Sequence, residues 1–310
     1  MDSVAAPPCH VVAVPYPGRG HINAMLNLCR LLAARGGVSA TVVVTEEWLG
    51  LLGGGPVTSG VRLEAIPNVV PSEHGRAADM AGDSCLIEHY IPGLKSIRLA
   101  DLEPTHSNKV VLNQVLEAYR HVRKAQCVIF TSFYELESDA IDSLRRELHC
   151  PVFAVGPCIP FMSLQEHNAN SSQEQGSMAW LDAQPLKVLR HPSVGGFFTH
   201  CGMNSMLEAL YAGVPMLTLP IAFNQPINSR LIVDEWKVGY NLKVKVRGDD
   251  VIGRDEIAEG VKRLMNCDDG EGMRRRASLM KEASRAAVGA GGSSHSDVTS
   301  FINYISRLNN

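Results

Sequence analysis

Residues 191–225 read HPSVGGFFTHCGMNSMLEALYAGVPMLTLPIAFNQ, and this stretch decides the fold. Val194 to Thr199 is short, apolar and aromatic, the pattern of a strand buried inside a parallel sheet. His200, Cys201 and Gly202 follow at its carboxyl end, Ser205 to Tyr211 carries a helical pattern, and Pro215 to Leu219 is a second apolar run. Strand, loop, helix and strand in that order make a right-handed βαβ unit, whose ligands bind beyond the carboxyl ends of the strands. A helix opening there turns N–H groups toward that site, which suits a pyrophosphate. Gly202 then permits close approach, the N–H groups of Asn204 and Ser205 face the phosphates, and His200 adds a hydrogen bond to them. Glu208, one turn into the helix, reaches vicinal hydroxyls of a sugar. Plain structural roles compete with each assignment. Ser205-x-x-Glu208 is also a capping box, and a histidine after a strand is ordinarily a structural hydrogen bonder. The joint occurrence with Gly213, Pro215, Pro220 and Gln225 favours a ligand site.

The same plan recurs toward the N-terminus. Val11 to Pro15 is an apolar run, Pro17-Gly18-Arg19-Gly20 is a turn, and His21 opens a helical pattern with Ile22, Met25, Leu26, Cys29 and Leu32 on one face. Val38 to Thr45 and Val61 to Ile66 read as further strands. From Pro67 to Thr105 no strand–helix pair is legible. The pattern resumes with a helix at Val110 to Lys124, a strand at Cys127 to Thr131, a helix at Leu136 to Leu148 and a strand at Val152 to Val155. The polar run QEHNANSSQEQGS, residues 165–177, reads as a linker. Beyond Leu219, helices are expected at Asn228 to Glu235, Asp255 to Met265 and Met273 to Ala287. A last amphipathic helix carries Phe301, Ile302, Ile305 and Leu308. The fold class is α/β, with two Rossmann-like domains, 1–164 and 178–310, joined by that linker.

Bulk properties narrow the function. The chain has 310 residues, enough for about two domains. A net charge of −3 leaves no basic field for a polyanion, so nucleic acid is not expected as a partner. Arg274, Arg275, Arg276, Lys281 and Arg285 read as a solvated helix face. The eight cysteines are scattered without a C-x-x-C pair, which suggests neither a zinc site nor a redox motif and suits a reducing compartment. No aspartates stand two apart, so a D-x-D metal site is not expected either. The N-terminus shows no basic region before an apolar core, and no run is long enough to span a membrane. The expected location is cytoplasmic.

Residues 191–225 closely resemble the secondary-product signature box of plant UDP-dependent glycosyltransferases. HVVAVPYPGRGHIN at 10–23, FTSFYELE at 130–137 and VGP at 155–157 are similar to other landmarks of that family. The resemblance implies a GT-B fold, two Rossmann-like domains with the donor held in the C-terminal one. It implies transfer of a hexose, glucose above all, from a UDP-sugar to a hydroxyl of a small apolar acceptor such as a plant phenolic, with inversion. His21 would be the general base, a role suited to an imidazole that titrates near neutrality. His200, Gly202, Asn204, Ser205, Glu208, Asn224 and Gln225 would contact the donor. No metal and no cofactor are implied, the UDP-sugar being a co-substrate. Protein partners are not legible.

This chain departs from the family pattern at defined places. Asp182 and Pro185 occupy the positions of the box's opening Trp, which packs on uracil, and of its Gln; Trp180 is two positions off register. AWLDAQP at 179–185 resembles a motif that belongs well upstream. A second seam falls near Gly82-Asp83, where the strand bearing the acid that orients the catalytic histidine is missing. Asp79, Asp83 and Asp101 read as loop or cap residues. Asn224 stands for the aspartate of the box's final pair, and Met203 for the usual Trp. The chain is thus identified as a member shortened by two internal deletions, with both domains incomplete. Lost strands are expected to leave sheet edges and apolar faces uncovered. A non-catalytic shortened member, binding nucleotide weakly or a protein partner, is the alternative. A nicotinamide-dependent oxidoreductase ranks below both: Gly18-x-Gly20 precedes Glu46 and Glu47, but Asn23 replaces the third glycine.

Overall fold

The computed structural model describes residues 9–52, 60–68, 117, 120–122, 124–159, 188–221, 224–242, 252–266 and 268–308. The linker 165–177, the seam at Gly82-Asp83, the acids Asp79, Asp83 and Asp101, and Trp180, Asp182 and Pro185 lie outside these residues. The chain divides into two compact units, Met1–Arg76 with Cys158–Pro185 and His295–Asn310, and Ala77–Pro157 with Leu186–Ser294. The expected domain limits, 164 and 178, also fall outside the described residues.

The first unit holds β1 (Cys9–Ala13), α1 (Arg19–Ala34), β2 (Val38–Thr45), α2 (Glu46–Leu52) and β3 (Val61–Ile66). The strands are parallel in the order β1-β2-β3, with Cys9 opposite Val38 and Ala40 opposite Val61. Alternation decides which face is covered. Ala13, Ala40, Val42, Val44 and Val61 point to the side on which α1 lays Ile22, Leu26 and Cys29, with Trp48 of α2 completing the cluster. Each large apolar side chain so buried contributes about 1.5–3 kcal/mol. The turn between α1 and β2 uses Gly36 and Gly37 at φ 80° and 75°, a left-handed conformation that glycine adopts without strain. At β1 the opposite face is open: Val12 and Val14 are 61% and 65% exposed, and no described strand pairs with the outer edge of β1.

Among the described residues the second unit contains two parallel sheets. In one, β4 (Val128–Phe130) pairs with β5 (Val152–Ala154), connected by α3 (Tyr134–Glu147). In the other, the order is β6 (Phe197–Thr199), β7 (Met216–Thr218), β8 (Gly239–Asn241). α4 (Met203–Ala212) links β6 to β7, and α5 (Gln225–Arg230) continues as a π-helical turn, Leu231–Glu235, before β8. One sheet face packs Met206, Ala209 and Leu210 of α4 with Met216, Ile232, Trp236, Val238 and Ala277. The other packs Leu217 and Leu242 beneath Leu264 of α6 (Arg254–Asn266) and Met273 of α7 (Asp268–Val288). α8 (Ser293–Leu308) starts in this unit and from His295 onward belongs to the first. No described helix is long and apolar enough to cross a membrane.

The basic stretch on α7 is not simply a solvated face. Arg274 donates from Nη1 to the carbonyls of Leu264 and Met265 at 2.8 and 3.1 Å, satisfying the last turn of α6. Arg276 donates to the Lys237 carbonyl at 2.7 Å, and the Arg285 guanidinium stands 5.4 Å over the Tyr211 ring. The expectation is corrected because these side chains meet carbonyls and a ring supplied by other elements.

Candidate donor site

Thr199 closes β6, and its side chain accepts a hydrogen bond from the Cys201 N–H at 3.1 Å. Cys201 takes φ 69°, a conformation that costs a non-glycine residue about 1–2 kcal/mol and is held only where surroundings over-determine it. Here they do: the side chain is fully buried, and its carbonyl accepts from Asn228 Nδ2 at 2.8 Å. Burial pushes the Cys201 thiol up to about 11, so it serves as an apolar plug, not a nucleophile.

The turn at Cys201 leaves His200 exposed and sends Gly202 into the start of α4. A Cβ on Gly202 would stand 2.7 Å from Nε2 of His200, so the imidazole lies folded over this glycine. Gly202 adopts φ −65°, which any residue tolerates; a Cβ would take the space of the exposed His200 ring, which can swing aside. Gly202→Ala is therefore expected to displace the imidazole while changing unfolding stability by less than about 1 kcal/mol. Calorimetric titration with UDP should show affinity falling about tenfold, the worth of one such hydrogen bond.

α4 begins at Met203, two residues before the sequence pattern places it, with Gly202 as its cap and no side-chain capping bond. The first helical hydrogen bond runs from the Met206 N–H to the Gly202 carbonyl at 3.0 Å. Asn204 and Ser205 thus sit in the first turn, where the helix end favours an anion. Ser205 is inside the helix and cannot cap it, so the capping-box alternative is not realised. This releases Glu208 from that role. Glu208 is half-buried, no described side chain pairs with it, and withdrawal from water raises its carboxyl to about 7. An unpaired, desolvated acid one turn above a helix start is a mark of a functional site.

The remaining candidates are more peripheral. Asn224 is exposed and caps α5 through its carbonyl, which accepts from the Asn228 N–H at 3.0 Å. Gln225 accepts the Ile221 N–H at 2.8 Å on Oε1, closing its own loop. His21 belongs to the first unit, exposed on the first turn of α1. Its ring meets Tyr16 edge-on, with centroids 5.5 Å apart, a neighbour the sequence did not single out. A cleft of about 360 Å³ opens between Pro220, Pro226, Arg230, Val233 and Tyr240, and shares no residue with the expected donor set. The nicotinamide alternative finds no support: a Cβ on Gly20 would meet nothing within 4 Å, so no close approach demands that glycine.

Residues 158–268 match the family described as UDP-glucoronosyl and UDP-glucosyl transferase, a span that contains this site. The chain is 31% identical over 458 aligned positions to UDP-glycosyltransferase 87A2 of Arabidopsis thaliana, with 100% of both chains covered. It is 30% identical to UDP-glycosyltransferase 87A1 of the same plant, over 95% of this chain and 100% of that one. Filling 458 aligned positions with 310 residues requires internal gaps, so the chain is shorter than that relative from within. Its fold is shared with a UDP-glucosyltransferase from Polygonum tinctorium, at TM-score 0.79 and 18% identity over 97% of this chain and 100% of that one. The UGT2 of Phytolacca americana gives TM-score 0.73 and 19% identity with the same coverage. These likenesses, with the parallel sheets and the β6–α4 turn, establish that the chain belongs to the plant UDP-glycosyltransferases of GT-B fold, as an internally shortened member.

Proposed function

We propose that the chain binds a UDP-sugar at the β6–α4 turn and transfers its hexose, glucose, to a hydroxyl of a small apolar acceptor with inversion, in the cytoplasm. The observation that carries this reading is Glu208, a carboxyl without a described partner whose proton affinity burial has raised, above a helix start with no side-chain cap. Vicinal sugar hydroxyls would supply the hydrogen bonds it lacks. The first turn of α4 and His200 would hold the diphosphate and stabilise it as UDP leaves. His21 would take the acceptor's proton as that oxygen attacks the anomeric carbon. Asn224 and Gln225 would hold the hexose, Asn224 with a neutral amide in place of a carboxylate. A structure of the same fold holds UDP-2fluoro-glucose and pterostilbene, and another glucosylates indoxyl, which supports a small aromatic acceptor.

A second reading, nucleotide binding without transfer, is favoured by one observation: among the described residues no carboxylate contacts His21. The two readings differ in one assay. Purified chain given UDP-glucose and a small phenol should release UDP with an equal amount of glycoside. His21→Ala should then lower kcat by about 10²–10⁴ while UDP affinity stays unchanged. Tight UDP binding with no glycoside formed would select the second reading.

A further inference from the structure

Tyr16 stands in the loop that joins β1 to α1, and His21 on the first turn of the helix that follows. Their ring centroids are 5.5 Å apart and their planes 74° to one another. Rings at this separation and angle attract, because the positive edge of one meets the negative face of the other. Prolines hold the tyrosine from both sides. Pro15 is buried and locks its own φ, and Pro17 confines Tyr16 to extended backbone. The Gly18 N–H donates to the Tyr16 carbonyl at 2.8 Å, and the Gly18 carbonyl accepts the Ile22 N–H at 2.9 Å as α1 begins. Backbone bonds therefore run from Tyr16 to the helical turn that carries His21, so the ring contact is set by one short segment.

His21 is exposed, and among the described residues no hydrogen bond reaches either of its ring nitrogens. An exposed histidine samples three staggered χ1 wells and a broad χ2, and only some of these rotamers aim a nitrogen at a given hydroxyl. Tyr16 is 46% exposed and contributes little to the core, and no described hydrogen bond uses its hydroxyl. What its ring does do is stand against the imidazole. We propose, resting on the reading of His21 as the base, that Tyr16 is the positioning residue of His21. Its ring holds the imidazole in the rotamer from which a nitrogen takes the acceptor's proton. The hold acts through the aromatic ring and not through the phenol. Such a contact biases rotamers by about two- to tenfold. A base turned out of its reacting geometry costs rate rather than ground-state affinity.

Two measurements on the full chain test this. In a proton–carbon NMR spectrum the His21 Cε1–H signal, assigned by its loss in His21→Ala, should be displaced from that of an unstacked histidine. Tyr16→Phe should keep the displacement and Tyr16→Leu should abolish it. In the transfer assay with UDP-glucose and a small phenol, Tyr16→Leu should lower kcat about tenfold with the KM for UDP-glucose unchanged. Tyr16→Phe should restore the wild-type kcat. In a His21→Ala background Tyr16→Leu should cost nothing further, since it acts only through the imidazole. A His21 signal that Tyr16→Leu leaves in place overturns the proposal, as does a kcat loss of equal size with and without His21. Transfer that responds to His21→Ala but not to Tyr16→Leu overturns this proposal alone. No glycoside from the wild type overturns the transfer reading and the proposal with it.

Discussion

Glu208→Gln is expected to remove a loss of stability that this one carboxyl imposes on the folded chain as pH rises from about 4.5 to 7. The Glu208 carboxyl sits at about 7 in the folded chain against an ordinary 4.5, raised by burial. In that interval the folded state binds the proton that the unfolded state releases. Its contribution is fully present below the unfolded value and is lost as pH climbs through the folded one. The shift corresponds to about 3 kcal/mol, as each pKa unit is worth about 1.4 kcal/mol. Urea unfolding at pH 5, 6, 7 and 8 checks this. The variant should match the wild type at pH 5 and exceed it at pH 8, while binding UDP more weakly. An equal slope in both proteins would show that Glu208 is not the group responsible. Better stability coupled to poorer binding is the pattern expected of an acid retained for a ligand.

Gly156→Ala is expected to be the most damaging single methyl in the second unit. A Cβ there would stand 1.6 Å from the Thr131 carbonyl oxygen and 2.2 Å from its carbon. Both belong to backbone that cannot rotate aside. The strands on either side are held by the Val155 N–H to the Phe130 carbonyl at 2.9 Å and the Gly156 N–H to the Ser132 carbonyl at 2.8 Å. The Gly156 carbonyl also accepts from the Ser294 hydroxyl at 2.5 Å, tying the start of α8 to the end of β5. Making room would break these bonds together, so a loss of about 3 kcal/mol or more is expected, against about 1–3 for ordinary overpacking. Thermal unfolding should shift down by roughly 10 °C. Gly20→Ala is the control, since a Cβ there meets nothing within 4 Å.

How far the fold could be read from the sequence depended on whether the deciding partner was local. The strands β1, β2 and β3 and the helix α1 were legible because apolar alternation and a 3.6-residue stripe are properties of one segment. The start of α4 was misplaced by two residues because Ser205-x-x-Glu208 offered a capping signal, whereas the helix takes an uncapped start at Gly202. The arginines of α7 were read as solvated because their partners, the last carbonyls of α6 and the Tyr211 ring, come from other elements. The left-handed Cys201 gave no signal, since a cysteine there is unusual and what holds it includes Asn228, a residue of another element. The need for Gly156 was equally hidden, resting on a carbonyl across the β4–β5 ladder. Open edges were expected from the missing strands, and among the described residues no strand pairs with the outer edge of β1 or of β6.

Of the residues expected to hold the donor, His200, Gly202, Asn204, Ser205 and Glu208 gather at the β6–α4 turn, and the local geometry gives two of them a physical setting. Gly202 leaves room for the His200 ring to fold over it, and Glu208 is freed from capping. Thermal unfolding with and without saturating UDP tests the central claim most directly, repeated on Glu208→Ala. At a UDP concentration about a hundred times its dissociation constant, the folded chain should gain about 2.7 kcal/mol. The account predicts a clear upward shift in the wild type that is largely lost in Glu208→Ala. A cooperative transition that ignores UDP, or one that Glu208→Ala shifts just as far, would contradict it.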